Sequence, residues 1–179
     1  MSIEKIIASI PRLEAVERRT MRVNAERALS DGSEAKRTDA RRMIAALDAR
    51  EAQERTREDA RLNAMKTADR IVEAFKIRPM TETERRMIQV LLDNPGLRSM
   101  ELSEKMNWKA MSWNVHFGEM CGHRDAFLWP GRPRTANPRA MLQSSILADV
   151  KDGAFFAFTP EAVEAFARLG LSSRARRRS

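Results

Sequence analysis

The sequence predicts a mainly α-helical protein: an N-terminal helical hairpin with a long helix, then a segment of short helices and a small β-hairpin. Three observations predict this. Apolar residues recur at helical spacing along most of the chain. Turn signals separate three short helical stretches between residues 81 and 124. An Asp-Gly pair at residues 152–153 stands between two β-prone runs, which is typical of a tight hairpin.

The N-terminal part, residues 1–78, predicts helices that pack through apolar side chains. A short helix is expected over residues 2–10, and Ile10 should leave helical geometry because Pro11 follows it. A helix over residues 12–29 and a second one from Glu34 should form an antiparallel hairpin. The apolar residues expected to meet across it are Leu13, Val16, Val23, Met43, Ile44 and Leu47.

The second helix of this hairpin continues into a stretch, residues 50–61, that is polar all round. We expect a helical connector there, since Ala, Arg and Glu are good helix formers. Residues 62–76 then regain an apolar seam, which is predicted to pair either within the chain or with the same helix of a second chain.

The first two helices of the three-helix segment have clear local boundaries. Helix 81–94 should begin with a capping box of Thr81 and Glu84 and end at Asn94-Pro95-Gly96. Ser99 is the expected cap of helix 100–106. Asn107 follows as a turn residue that tolerates positive φ.

The third helix, 109–122, places Trp113, Phe117 and Met120 on one face. The apolar and turn positions of the second and third helices match the common helix-turn-helix spacing at Leu102, Met106, Asn107, Trp108, Trp113, Phe117 and Met120. Residues 80–170 therefore resemble the winged helix-turn-helix superfamily, and are similar in outline to MarR-like regulators. One departure is Trp113, where Val or Ile is usual, which predicts a third helix set farther from the core.

The wing is expected where the Asp-Gly pair lies. Residues 144–150 and 154–158 are the predicted strands. A helix should follow, with Thr159 as its cap, Pro160 as its first residue and Gly170 after its end. Its predicted inward residues are Val163, Phe166 and Leu169.

The resemblance implies a transcriptional regulator that binds double-stranded DNA as a homodimer, with helix 109–122 in the major groove. Ser112 and Asn114 are the candidates for base contacts, since Asn can pair bidentately with adenine. Lys109 would lie at the helix N-terminus near the DNA backbone.

Basic residues elsewhere are candidates for phosphate contacts. The chain has a net charge of +8, which favours a polyanionic partner. The Pro/Gly/Arg segment at residues 130–134 is either a basic arm that follows DNA or a solvated loop. Lys151 should lie at the tip of the wing. Residues 172–179 should form a disordered basic tail. The candidate phosphate-binding residues are Arg132, Arg134, Lys151, Arg174, Arg176, Arg177 and Arg178.

An alternative function has its own support. The outward face of the third helix, with Ala110, Met111, Val115 and Gly118, is unusually apolar for a helix that reads DNA. The second hypothesis is therefore a protein–protein interaction module that uses the N-terminal helices and the third helix as docking surfaces. DNA binding predicts an affinity that falls steeply with salt concentration, and the interaction-module hypothesis does not.

Enzymatic, metal and cofactor roles find no support in the sequence. No nucleophile–base arrangement or phosphate-cradling glycine loop is evident. His116, Cys121 and His123 lack a fourth ligand at sensible spacing, and we expect no metal and no cofactor. A single cysteine and the absence of an apolar leader or span lead us to expect a soluble cytoplasmic protein. The expected domains are residues 1–78 and 79–171, followed by the tail.

Overall fold

The computed structural model describes residues 2–131, 146–151 and 155–174. The protein is mainly helical, with a three-stranded antiparallel sheet. Contacts divide the chain into a first unit, residues 1–59, and a second unit, residues 60–179. The division lies nineteen residues before the boundary expected from the sequence, so Thr67–Ile77 belongs to the second unit.

The elements follow in chain order. They are α1 (Ile3–Ser9), a 3₁₀ turn (Ile10–Arg12), α2 (Ala15–Asp31), α3 (Glu34–Ala64), α4 (Thr67–Ile77), α5 (Glu82–Asp93), β1 (Leu97–Arg98), α6 (Ser99–Lys105), α7 (Ser112–Gly122), α8 (Asp125–Leu128), β2 (Ala148–Lys151), β3 (Phe155–Phe158) and α9 (Pro160–Arg168).

The start of the first unit differs from the sequence prediction. Ile10 keeps helical geometry, with φ −48° and ψ −43°, and it is buried. The prediction that Pro11 would displace it was wrong, because burial of the isoleucine side chain outweighs a local backbone preference. The second helix begins at Ala15 rather than residue 12, and the Glu17 carboxylate accepts the Glu14 backbone N–H at 2.7 Å.

The hairpin of α2 and α3 uses a different face of α2 from the one predicted. Val16 and Val23 are 76% and 48% exposed, so their predicted packing was wrong. Ala25 is buried, and nine residues at 100° each place it opposite Val16 on the helix. Arg18 and Arg22 lie on the Ala25 side, where their guanidiniums contact α3, whereas Val16 and Val23 stay exposed.

These arginines form ion pairs across the hairpin. Arg18 contacts Glu54 at 2.9 Å, and Arg22 contacts Asp48 at 2.6 Å and Glu51 at 3.2 Å. These two guanidiniums and three carboxylates therefore take the place of the predicted apolar seam. In α3 itself, Leu47 is fully buried, whereas Met43 and Ile44 are only partly buried.

The polar connector is helical as predicted, since residues 50–61 all lie within α3. The prediction of one continuous helix over residues 62–76 was wrong. It is interrupted at Lys66, whose extended backbone (φ −60°, ψ 144°) precedes α4. The apolar face of α4 packs within the second unit against α9, where the Phe75 and Phe166 rings meet edge to face at 5.4 Å.

The sheet has the strand order β1-β3-β2. The Asp-Gly hairpin prediction is confirmed by antiparallel pairing of β2 with β3, from Ala148 opposite Phe158 to Lys151 opposite Phe155. Lys151 is the last residue of β2, and the turn at 152–154 lies outside the described residues. The third strand, β1, was not predicted, because two residues are too few for a periodic pattern.

The last helix, α9, begins as predicted. The Thr159 hydroxyl accepts the Ala162 backbone N–H at 3.2 Å, Pro160 is the first helical residue, and Gly170 follows the helix with φ +84°. The predicted inward position of Val163 was wrong, since 39% of it is exposed. Phe166 is fully buried as predicted, and Leu169 packs against the core, while Ala162 and Ala165 are buried in place of Val163.

The core of the second unit joins all of its main elements. Buried side chains come from α4, α5, α6, α7, the sheet and α9, and they form one continuous cluster. Within the described part of the chain, no helix combines the length and apolarity that a membrane span requires.

Candidate functional site

The turn between α6 and α7 is the centre of the candidate site. Ser99 is the first residue of α6 and not its cap, so that prediction was wrong. The Glu101 carboxylate instead accepts the Arg98 backbone N–H at 2.8 Å, which satisfies one unpaired donor at the helix start. Asn107 has φ 59°, which confirms its predicted role as a turn residue in the left-handed region.

Ser103, which the sequence did not single out, holds this turn together. Its buried hydroxyl donates to the Ser99 carbonyl at 2.8 Å and accepts the Trp113 backbone N–H at 3.0 Å. Its carbonyl accepts the Trp108 backbone N–H at 2.8 Å. One serine therefore fixes the first turn of α7 against α6. Only its position four residues after Ser99 hints at this role, and serine is common on helix surfaces too.

The third helix begins later than predicted. Ala110 has φ 51°, a left-handed conformation that cannot continue a right-handed helix, so α7 starts at Ser112 and not at 109. The expected place of Lys109 at the helix N-terminus was therefore wrong. Lys109 precedes the helix, and its carbonyl accepts the Ser112 hydroxyl at 2.5 Å.

The inward face of α7 is the one that the sequence predicted. Trp113, Phe117 and Met120 are each at most 1% exposed, and Cys121 joins them. The Trp113 and Phe117 rings stack with centroids 4.6 Å apart, and Trp113 meets the edge of Phe156 in β3 at 5.2 Å. These aromatic contacts fix the rotation of α7 relative to the sheet.

The opposite face of α7 is exposed and only weakly polar. Val115 is 54% exposed, and Gly118, Glu119 and Gly122 lie near it on the helix surface. Met111, just before the helix, is 60% exposed. The surface therefore combines aliphatic groups with one acidic side chain, and Glu119 contacts His116 at 3.3 Å.

The two predicted base-reading residues lie at different positions on α7. Asn114 lies at the side of the exposed face and is partly buried, and its amide makes no hydrogen bond to any described residue. Ser112 is also partly buried, and its hydroxyl is already bonded to the Lys109 carbonyl. Asn114 is thus the better placed of the two to bind a ligand.

The predicted phosphate-binding residues are only partly described. Arg174 is exposed, and its backbone N–H donates to Asp93 at 2.7 Å, so Arg174 lies beside the end of α5. The chain just before it is held by Gln89, which donates to the Ser172 carbonyl at 3.0 Å. The candidates outside the described residues are Arg132, Arg134, Arg176, Arg177 and Arg178.

The surplus of basic over acidic side chains lies almost entirely in the second unit. Residues 60–179 contain 20 Lys and Arg against 13 Asp and Glu, a surplus of seven, whereas residues 1–59 contain 13 against 12. Residues 60–78 contribute five Lys and Arg against two Asp and Glu to this surplus. The net positive charge of the chain therefore lies mainly in the unit that contains α6 and α7.

Cys121 and the two histidines do not form a metal site in the structure. Burial raises the pKa of the Cys121 thiol far above its usual value, so it stays protonated. His116 and His123 are exposed, and no group of three or more His, Cys, Asp or Glu among the described residues could hold an ion.

No protein-family model, curated protein or solved structure matches this chain.

Proposed function

We propose that residues 80–170 form a winged helix-turn-helix domain that binds double-stranded DNA, and that the protein is a transcriptional regulator acting as a homodimer. In this proposal α7 enters the major groove and the β2–β3 hairpin is the wing. The observation that carries the proposal is the complete burial of Trp113, Phe117 and Met120, which leaves the opposite face of α7 exposed.

The geometry of the α6–α7 turn supports this function. A helix that reads bases needs a fixed orientation, since phosphate contacts position the protein and base contacts specify the sequence. Ser103 and the Trp113–Phe117 stack supply such rigidity from within the unit. Lys109 is exposed beside the start of α7, where it is suited to a phosphate contact.

The charge of the second unit supports the same function. A surplus of seven basic side chains would attract DNA at long range and strengthen binding regardless of sequence. We assign phosphate contacts to Arg132, Arg134, Lys151 and the arginines of the tail. We assign base recognition to Asn114 and a supporting role to Ser112.

A salt titration tests the proposal. Fluorescence anisotropy with labelled duplexes, drawn from a pool enriched on the full-length protein, gives affinity as a function of salt concentration. We expect log affinity to fall linearly with log salt, with a slope of about −0.9 for each phosphate neutralised. An affinity for duplex DNA that stays weak and non-selective at low salt would contradict the proposal.

Two variants separate base recognition from phosphate binding. Asn114→Ala should reduce discrimination between the enriched site and unrelated DNA, at a cost of about 1–3 kcal/mol on the preferred site. Replacing Arg174, Arg176, Arg177 and Arg178 with Ala should weaken binding to all duplexes and reduce the salt slope. If both variants changed every duplex equally, the assigned roles would be wrong.

A second candidate function follows from the exposed apolar groups. Met111, Val115 and, in α6, Met100 are 54–60% exposed, and Glu119 would repel phosphates. This surface favours a protein-binding role for α7 without DNA. Val115→Asp would then abolish binding to a protein partner. In the salt titration, the wild-type protein would show no measurable affinity for duplex DNA even at low salt.

A further inference from the structure

We propose that two copies of this chain associate through a groove in the first unit, between α2 and α3. This inference concerns residues 1–59 and does not depend on DNA binding. The occupant of the groove in each chain is the equivalent surface of the second copy, related by a twofold axis.

The groove is a sizeable apolar feature. It has a volume of about 610 Å³. Its apolar walls come from α1 through Ile6, from α2 through Met21 and Ala25, and from α3 through Ala40 and Met43. Val16 lines it as well and is 76% exposed, the largest exposure among the large apolar residues described. This surface would lose contact with water if a second copy covered it.

The first unit also has little core of its own. Among its described residues, the buried apolar side chains are Ile10, Ala25, Ala40 and Leu47, and two of these are alanines. A chain of about 60 residues is marginal even with a full core, because small domains bury a smaller share of their surface. Covering the groove in a dimer would supply apolar burial that the single unit lacks.

The charges at the groove fit a second copy of the same surface. Lys36 and Asp39 line it one helical turn apart, and neither makes an ion pair with a described residue. Glu17, the other charged lining residue, already accepts the Glu14 backbone N–H at 2.7 Å. Elsewhere in the unit, Arg18 and Arg22 are paired with carboxylates.

A twofold interface contacts itself, so each group on one side meets its complement on the other. One Lys36 and one Asp39 on each surface allow two reciprocal ion pairs, Lys36 with the second copy's Asp39 and the reverse. A strongly acidic or basic partner would leave one of these charges opposed by a like charge. The reciprocal pairing open to Lys36 and Asp39 therefore favours a second copy over a highly charged protein or DNA.

The apolar part of the proposal is tested with full-length protein by sedimentation equilibrium across the micromolar range. We expect the wild-type chain to be a dimer and Val16→Asp to weaken association at least tenfold. The matched control is Ile77→Asp, because Ile77 is 59% exposed but lies at the end of α4. A wild-type chain that is monomeric throughout, or equal effects of the two substitutions, would overturn the proposal.

The charge pairing is tested by mixing two reversed variants. Lys36→Asp and Asp39→Lys should each self-associate less than the wild type, by about tenfold, because both reciprocal pairs become repulsive. Mixed together, they should form a heterodimer, since every contact then joins opposite charges. Circular dichroism of each variant confirms folding. A mixture that associates no better than either variant alone would exclude this pairing and the proposed surface.

Discussion

Arg124 and Glu84 form a two-pronged ion pair inside the second unit, with Nη1–Oε1 at 2.9 Å and Nη2–Oε2 at 3.0 Å. The Arg124 side chain is 1% exposed and that of Glu84 is 13% exposed. The guanidinium also donates to the carbonyls of Arg78, Pro79 and Met120, and it lies over the Phe75 ring at 4.2 Å. This cluster therefore connects the end of α4, the start of α5 and the end of α7.

Glu84→Gln should destabilise the protein strongly. The substitution keeps the side-chain volume but leaves a buried guanidinium without its counter-charge, which typically costs about 3–5 kcal/mol. The measurement is urea unfolding monitored by circular dichroism. Glu82→Gln is the control, because Glu82 lies two residues earlier in α5 and is exposed. Equal stability of the two variants would show that the ion pair contributes little.

The same ion pair should make the free energy of unfolding depend on pH. Burial raises the pKa of Glu84, but hydrogen bonds from Arg124 and the Thr81 backbone N–H outweigh it, so the pKa lies below the ordinary value of 4.5. A carboxylate with a lowered pKa in the folded state stabilises the protein above its unfolded pKa. This stabilisation disappears as the pH falls through the folded-state value.

The test compares the free energy of unfolding of wild type and Glu84→Gln at several pH values. The difference between them should be constant above pH 4.5 and should shrink in more acidic solution. A difference that did not change between neutral and acidic pH would contradict the assignment of this effect to Glu84.

Ser103→Ala should loosen α7. The substitution leaves the buried Trp113 backbone N–H without its acceptor, which costs about 1–3 kcal/mol. Ser99→Ala is a matched control, because the Ser99 hydroxyl oxygen is buried without a hydrogen-bond partner among the described residues. Thermal unfolding should show a clear loss for the first variant and little change for the second. Similar losses in both would contradict the role of the Ser103 hydroxyl.

Cys121 should be unreactive in the folded protein. It is fully buried and its pKa is raised, and the thiolate is the form that reacts with disulfide reagents. Labelling with an aromatic disulfide should therefore be slow in buffer and complete in denaturant. Rapid labelling in buffer, at a rate typical of an exposed thiol, would mean that the α7 core opens readily.

Short-range features of this fold were predictable because their causes lie within a few residues. The Thr81–Glu84 capping box, the Thr159 cap and the turn conformation of Asn107 all depend on neighbouring backbone groups. The inward face of α7 follows from helical periodicity, since three large apolar residues share one side. The role of that helix in binding DNA remains a prediction.

The tertiary structure decided the features that depend on distant partners. Arg18 and Arg22 find carboxylates on α3, so α2 presents its arginines there and exposes Val16. The two residues of β1 become a strand only because β3 is available to pair with them. Arg124 is buried because Glu84, forty residues earlier, compensates its charge.

The sequence by itself therefore determined where α3, α5 and α9 begin and which side of α7 enters the core. Only the tertiary structure decided which face of α2 packs, where α7 starts and which arginine is buried. The physical reason is the range of the interactions. Capping and periodicity act along a single helix, whereas the partner of a charge or the neighbour of a strand exists only once the chain has folded.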